Sequence, residues 1–123
     1  MAGSASHDIW FKRPRSLTLR ERDLVVRALR AELPPAPLTA ALAHVDGLKV
    51  IGRCKCRRNG WGTWTIYFGG RRDGGVAYSV GTTGRTADEP VSVAVDLTQS
   101  GRIVGLDVVE NRSGKPPVTV VVR

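Results

Sequence analysis

The sequence predicts an α+β domain: two N-terminal helices packed on one face of a mostly antiparallel sheet of five or six strands. Three observations lead there. Between Thr18 and Leu33 apolar residues recur at spacings of three and four, the period of a helix with one buried face. From Leu48 onward the pattern turns to alternation of period two, in Val-, Ile-, Thr- and aromatic-rich runs bounded by Gly-containing turns. Helical and strand patterns are segregated along the chain rather than interleaved, which favours antiparallel strands with helices on one side over a parallel sheet.

Each element has its own signature. Residues 1–14 are small, polar and basic, and read as a loosely ordered basic N-terminal arm ahead of a single α+β domain at 15–123. Ile9, Trp10 and Phe11 interrupt that arm, either pinning it to the body or offering an aromatic anchor to a partner. Thr18-Leu19-Arg20-Glu21 has the form of a capping box, in which hydroxyl and carboxylate each satisfy an orphan backbone amide. Leu24, Val25, Ala28, Leu29 and Leu33 follow as the apolar stripe, and Pro34-Pro35 ends a helix of about 15 residues. Pro37 can open a second helix with Leu38, Leu42 and Val45 inward and Asp46-Gly47 closing it.

Leu48 to Cys54 and Thr63 to Phe68 are the first two expected strands, with Trp64, Ile66 and Phe68 sharing one face of the second. Val76 to Thr82 is a third. Val91 to Leu97 and Ile103 to Val109 form a hairpin around Ser100-Gly101, Asn111 to Pro117 is a loop, and Val118 to Val122 is a last strand. This order suggests a meander covered by the helices.

With 123 residues, 41% hydrophobic and 24% charged, the chain lies in the globular range and is long enough for one core. The net charge of +8 is unevenly placed: residues 1–87 hold 15 basic and 6 acidic groups, residues 88–123 hold 4 and 5. No apolar run approaches the ~20 residues of a bilayer span, and Met1 to Arg15 lacks the apolar core of a secretory signal. A cytoplasmic location without a membrane partner is expected, and the low cysteine count agrees with a reducing compartment.

Catalytic and metal chemistry find little support. Cys54-Lys55-Cys56 puts two sulfurs on one strand face at the limit of disulfide reach, and zinc would need a second ligand pair that the chain lacks. Two small buried hydrophobes at a strand end is the expected role. Glu21 belongs to a cap, Asp46, Asp73, Asp88 and Glu89 to turns, and Asp96 and Asp107 to strands. The last two could become cross-strand neighbours, although a solvated strand face explains them as well. Gly60-Trp61-Gly62 has no helix after it and is no phosphate loop. No enzyme activity and no cofactor are expected.

The centre of the chain is its most informative part. From Gly47 to Arg72 there are seven basic residues and no acidic one. Arg53, Lys55, Arg57, Arg58, Trp61, Arg71 and Arg72 form the candidate partner-binding set, with arginines pairing to carboxylates and Trp61 as apolar anchor. The expected function is a non-catalytic binding protein that occludes an acidic protein partner, most concretely a toxin-immunity-type inhibitor. The alternative is a nucleic-acid-binding module using the basic face of residues 49–72, with Trp61 and Tyr67 free to stack on bases.

Leu17, Glu21 and Arg22, followed by Val50-Ile51-Gly52-Arg53-Cys54-Lys55-Cys56, give the span Thr18 to Phe68 a resemblance. It is similar to a group of small uncharacterised bacterial proteins, mainly actinobacterial. The segment Asp96 to Val108, with Gly101, Ile103, Leu106 and Asp107, is similar to their second hairpin. Members of that group tend to continue Cys-x-Cys with Gly-Cys-Pro, where this chain has Arg57-Arg58-Asn59. The resemblance implies helices on a small sheet and assigns no activity.

Overall fold

A computed structural model of the protein describes residues 8–54, 63–69 and 75–116. The elements run β1 (Asp8–Ser16), α1 (Leu19–Glu32), α2 (Pro35–Val45), β2 (Lys49–Cys54), β3 (Thr63–Phe68), β4 (Tyr78–Thr83), β5 (Ser92–Leu97) and β6 (Ile103–Val109). The fold is α+β, with both helices packed on a six-stranded antiparallel sheet.

Local chemistry sets the helix ends. Thr18 Oγ1 accepts from the Glu21 amide at 3.1 Å while Glu21 Oε1 accepts from the Thr18 amide at 2.9 Å, the expected capping box. The stripe Leu24, Val25, Ala28 and Leu29 is buried throughout. The second helix starts at Pro35, two residues ahead of the expected Pro37. Both prolines are tolerated because first-turn amides have no intrahelical partner to lose. Ala41 and Val45 from α2 complete the helical side of the core.

The strand order β1-β2-β3-β6-β5-β4 corrects the expected single meander. Two three-stranded antiparallel blocks meet, with β6 returning to pair with β3 after the chain has crossed to the far edge. Alternation fixes which face a residue takes, not which strand lies next to it. The expected strand at Val118 to Val122 lies outside the described residues. Tyr78–Thr83 is displaced slightly from the expected Val76–Thr82, and the turn at Ser100-Gly101 forms with Gly101 at φ 87°. Buried Thr98 stabilises that turn by sharing a hydrogen bond with the Ser100 hydroxyl and accepting from the Arg102 amide.

Residues 8–14 are also not a loose arm. They belong to β1, an edge strand whose partner β2 lies on the far side of both helices in sequence. Ile9-Trp10-Phe11 followed by Lys-Arg-Pro shows no alternation, so nothing local announces a strand. The long-range ladder to β2 supplies it.

The helices cover one sheet face, with α1 against β4 and β5. Its buried residues join Val50, Ile66, Phe68, Val80, Val93, Val95, Leu97, Leu106 and Val108 in a single cluster. The opposite face is polar and partly accessible. Register puts Trp10, Gly52, Tyr67, Gly105, Asp96 and Ser79 in one row across it. The two glycines in that row are sockets. The Trp10 ring lies over Gly52 and stacks on Tyr67 at 5.2 Å between centroids, and the Asp96 carboxylate lies over Gly105.

The two sockets differ in what a methyl group would meet. At Gly52 an added Cβ would sit 2.6 Å from the Trp10 ring and 2.8 Å from the Ile9 carbonyl oxygen. At Gly105 it would meet the swinging end of Asp96, at 2.8 Å. Gly52→Ala is expected to cost about 1–3 kcal/mol, as overpacking does, and Gly105→Ala distinctly less. Urea midpoints at constant slope measure both, and equal losses would contradict the socket account.

Candidate functional site: an arginine-lined cleft at the basic edge

Most of the arginines on α1 are tied to the protein's own carboxylates. Arg20 meets Glu110 at 2.7 Å, Arg22 meets Asp46 at 2.7 Å, and Arg27 bridges Asp23 at 3.0 Å and Glu89 at 3.2 Å. Glu89 also accepts from the Arg85 and Thr86 amides, which hold its carboxyl below the usual range. These partly exposed pairs add little stability, but they neutralise the helix surface.

The β1–β2 edge is different. Lys12, Arg13, Lys49 and Arg53 are exposed there, and none makes an ion pair with the described residues. Lys49 donates to the Ser16 hydroxyl at 2.9 Å. Of the expected binding set only Arg53 falls within the described residues. Lys55, Arg57, Arg58, Trp61, Arg71 and Arg72 lie outside them. Residues 55–62 join Cys54 to Thr63, whereas residues 70–74 follow Gly69, so the two basic segments attach to opposite ends of β3. A six-residue strand separates such ends by about 17–20 Å.

Two register breaks decide where the arginines go. Val50 pairs with Phe68, but Gly52 pairs with Tyr67 and Arg53 with Ile66, leaving Ile51 as a bulge. Strict alternation from Val50 would send Arg53 to the open face. The extra residue turns it instead to the helix side, the usual effect of a bulge on the next side chain. On β1 the register breaks again between Trp10 and Arg15, which brings Arg15 opposite Val50 on the same side.

Arg15 then reaches Glu21. Its Nη1 donates to Oε1 at 2.8 Å and its Nη2 to Oε2 at 2.9 Å, a two-pronged pair. Glu21 is only 8% exposed. Burial alone would raise its pKa, but hydrogen bonds from Arg15 and Thr18 together with the Arg15 charge outweigh it and hold the carboxyl below its ordinary value. The same hydrogen bond keeps Arg15 firmly protonated.

Between this junction and β2–β3 lies a cleft of about 300 Å³, with Arg15, Arg20 and Arg53 on its rim and Trp64 and Ile66 among its walls. The sequence pointed to Arg53 but not to Arg15 or Arg20. Gly52 inside a strand pattern was the available sign of the bulge. A larger groove of about 700 Å³ lies at the other end of the sheet beside His44, Lys49 and Ile103.

Other expectations resolve as follows. Trp64 is half-buried against the core. Tyr67 is not free to stack on a base: its ring faces Trp10 and its hydroxyl donates to Asp8 at 2.8 Å. Asp96 and Asp107 pair opposite Gly105 and Ala94, not each other, and accept from Ser79 and Thr65 at 2.6 Å each. Cys54 is disulfide-bonded and only half-buried, which corrects its expected role as a small buried hydrophobe at the strand end. Cys56 lies outside the described residues. Among the described residues no group of three or more His, Cys, Asp or Glu could hold a metal ion, and no helix is long and apolar enough to cross a membrane.

No protein-family model matches the chain, nor does any curated protein or solved structure.

The Glu21 arrangement has a pH signature. A carboxyl with a depressed folded-state pKa contributes stability that is present above its unfolded value and lost as pH falls through the folded one. The stability difference between the wild type and Glu21→Gln should therefore be largest near neutrality and shrink on acidification through the carboxylate range. Denaturant melts across that range read it directly. A difference independent of pH would contradict the assignment.

Proposed function

We propose that the protein is a non-catalytic binding module that acts by occluding an acidic protein partner, in the manner of a toxin-immunity inhibitor. The observation that supports this reading is the placement of uncompensated charge. Arg20, Arg22 and Arg27 of α1 are paired internally, whereas Lys12, Arg13, Lys49 and Arg53 are spread along the β1–β2 edge without carboxylate partners among the described residues. Charge of one sign at an edge steers a partner of the opposite sign into a defined orientation. Arg53 is the fixed member of the group, and Lys55, Arg57, Arg58 and Trp61 follow it directly in the chain. Arg71 and Arg72, attached at the other end of β3, form a separate and weaker contribution.

The nucleic-acid alternative has less behind it. The stacked pair of exposed Trp10 and half-buried Tyr67 sits on the open face among Asp8, Asp96 and Asp107, whose carboxylates would repel a phosphate backbone. Base-stacking platforms instead need a positive groove beside the rings.

Cross-linking of the tagged chain in its native host, followed by affinity measurement with the captured protein, tests this reading. Arg53→Glu combined with Arg57→Glu and Arg58→Glu should weaken binding by about tenfold or more, mainly through slower association, and Arg71→Glu with Arg72→Glu by less. Unchanged affinity in the first variant removes the reading. So does tight oligonucleotide binding whose logarithmic salt slope corresponds to about three or more released counterions.

A further inference from the structure

We infer that the cleft between the first turn of α1 and strands β2–β3 receives a carboxylate side chain from an acidic segment of the partner, with Arg53 as its receptor. This rests on the reading above and assigns it a specific seat.

The argument is one of available donors. Arg15 is spent: its two terminal nitrogens hold Glu21, and Nη1 also reaches the Ser16 carbonyl at 3.0 Å. Glu21 is equally occupied, its oxygens taken by Arg15 and the Thr18 amide, so it presents little free charge to a visitor. The start of α1 is not the attraction, because the capping box already serves the Thr18 and Glu21 amides. Arg20 holds the partly exposed Glu110 through one nitrogen and can share its other donors. Arg53 makes no ion pair with the described residues and lines the same cleft.

The cleft therefore offers one uncommitted guanidinium and one partly committed guanidinium, beside the half-buried Trp64. A planar carboxylate matches a single guanidinium fork, and Trp64 and Ile66 supply the apolar part of the wall against which its stem can rest. At about 300 Å³ the space lies at the lower limit of sites that enclose whole ligands, which suits the end of a Glu or Asp side chain. The Ile51 bulge is what makes the seat, since it carries Arg53 to this side of the sheet.

The test is an NMR titration of the full chain with an acetylated, amidated glutamate-rich peptide, and in parallel with inorganic phosphate. The Trp64 indole and Arg53 Nε resonances should move first and saturate. Arg53→Gln should weaken the peptide by about tenfold or more, the loss expected for a charge-assisted hydrogen bond, and Arg53→Lys by less. Lys12→Gln with Arg13→Gln should change affinity by less than about fivefold, as rim charges do. Arg53 is exposed, so its variants should keep the wild-type melting midpoint, and Arg20→Gln gives a second weakening with Arg53 intact. Peptide binding that shifts only Lys12 and Arg13 overturns the cleft but leaves the acidic-partner reading standing. No peptide binding overturns both. Phosphate binding as tight as the peptide overturns the carboxylate assignment.

Discussion

One buried carboxylate organises this molecule. Glu21 is the single buried charged residue among those described, and a charge in that position must be fully partnered or the fold loses several kcal/mol. Its partners come from two directions: Thr18 in its own helix and Arg15 from the end of β1. Meeting that demand fixes how the edge strand hands over to α1. The helix, once anchored, lies over β4 and β5, and its first turn is left standing beside the β2–β3 side of the sheet. The cleft is the space that results.

The two sheet faces divide the remaining work. The helix side is closed by branched aliphatic residues whose alternation is uninterrupted along β5. The open side carries hydroxyl–carboxylate pairs, each aspartate met by a Ser, Thr or Tyr donor, with glycines lowered beneath the larger neighbours. Three aspartates thus share the open face, while Lys12, Arg13, Lys49 and Arg53 line the β1–β2 edge without ion-pair partners among the described residues. Charges of opposite sign held on separate surfaces govern the orientation of an encounter more than its raw affinity.

Where local chemistry determines structure, the sequence was readable. The capping box and stripe of α1, the phase of Thr63 to Phe68, the Ser92 to Leu97 alternation and the Gly101 turn all arise from neighbours within a few residues. Other features depend on distant partners. β1 exists because β2 offers a ladder, and strand order depends on which edge the chain returns to after β3. For the site, Arg53 was visible as a charge, but its face was set by an extra residue at Ile51 that shifts the register. Arg15 looked like the close of a basic arm until its partner Glu21 was seen to be buried. The state of Cys54 was likewise outside what spacing alone decides.

The placement of β1 also bears on how the chain assembles. Asp8 and Cys54 face each other across the ladder, so the strand emerges from the ribosome well before anything exists for it to join. Both helices must be synthesised, and β2 after them, before Ile9 and Phe11 find cover. Closing such a long loop carries an entropic cost, and ladders between segments this far apart in sequence slow folding as a class. An edge strand tied to its neighbour only through so long a connection is also the kind of element that identical chains can exchange.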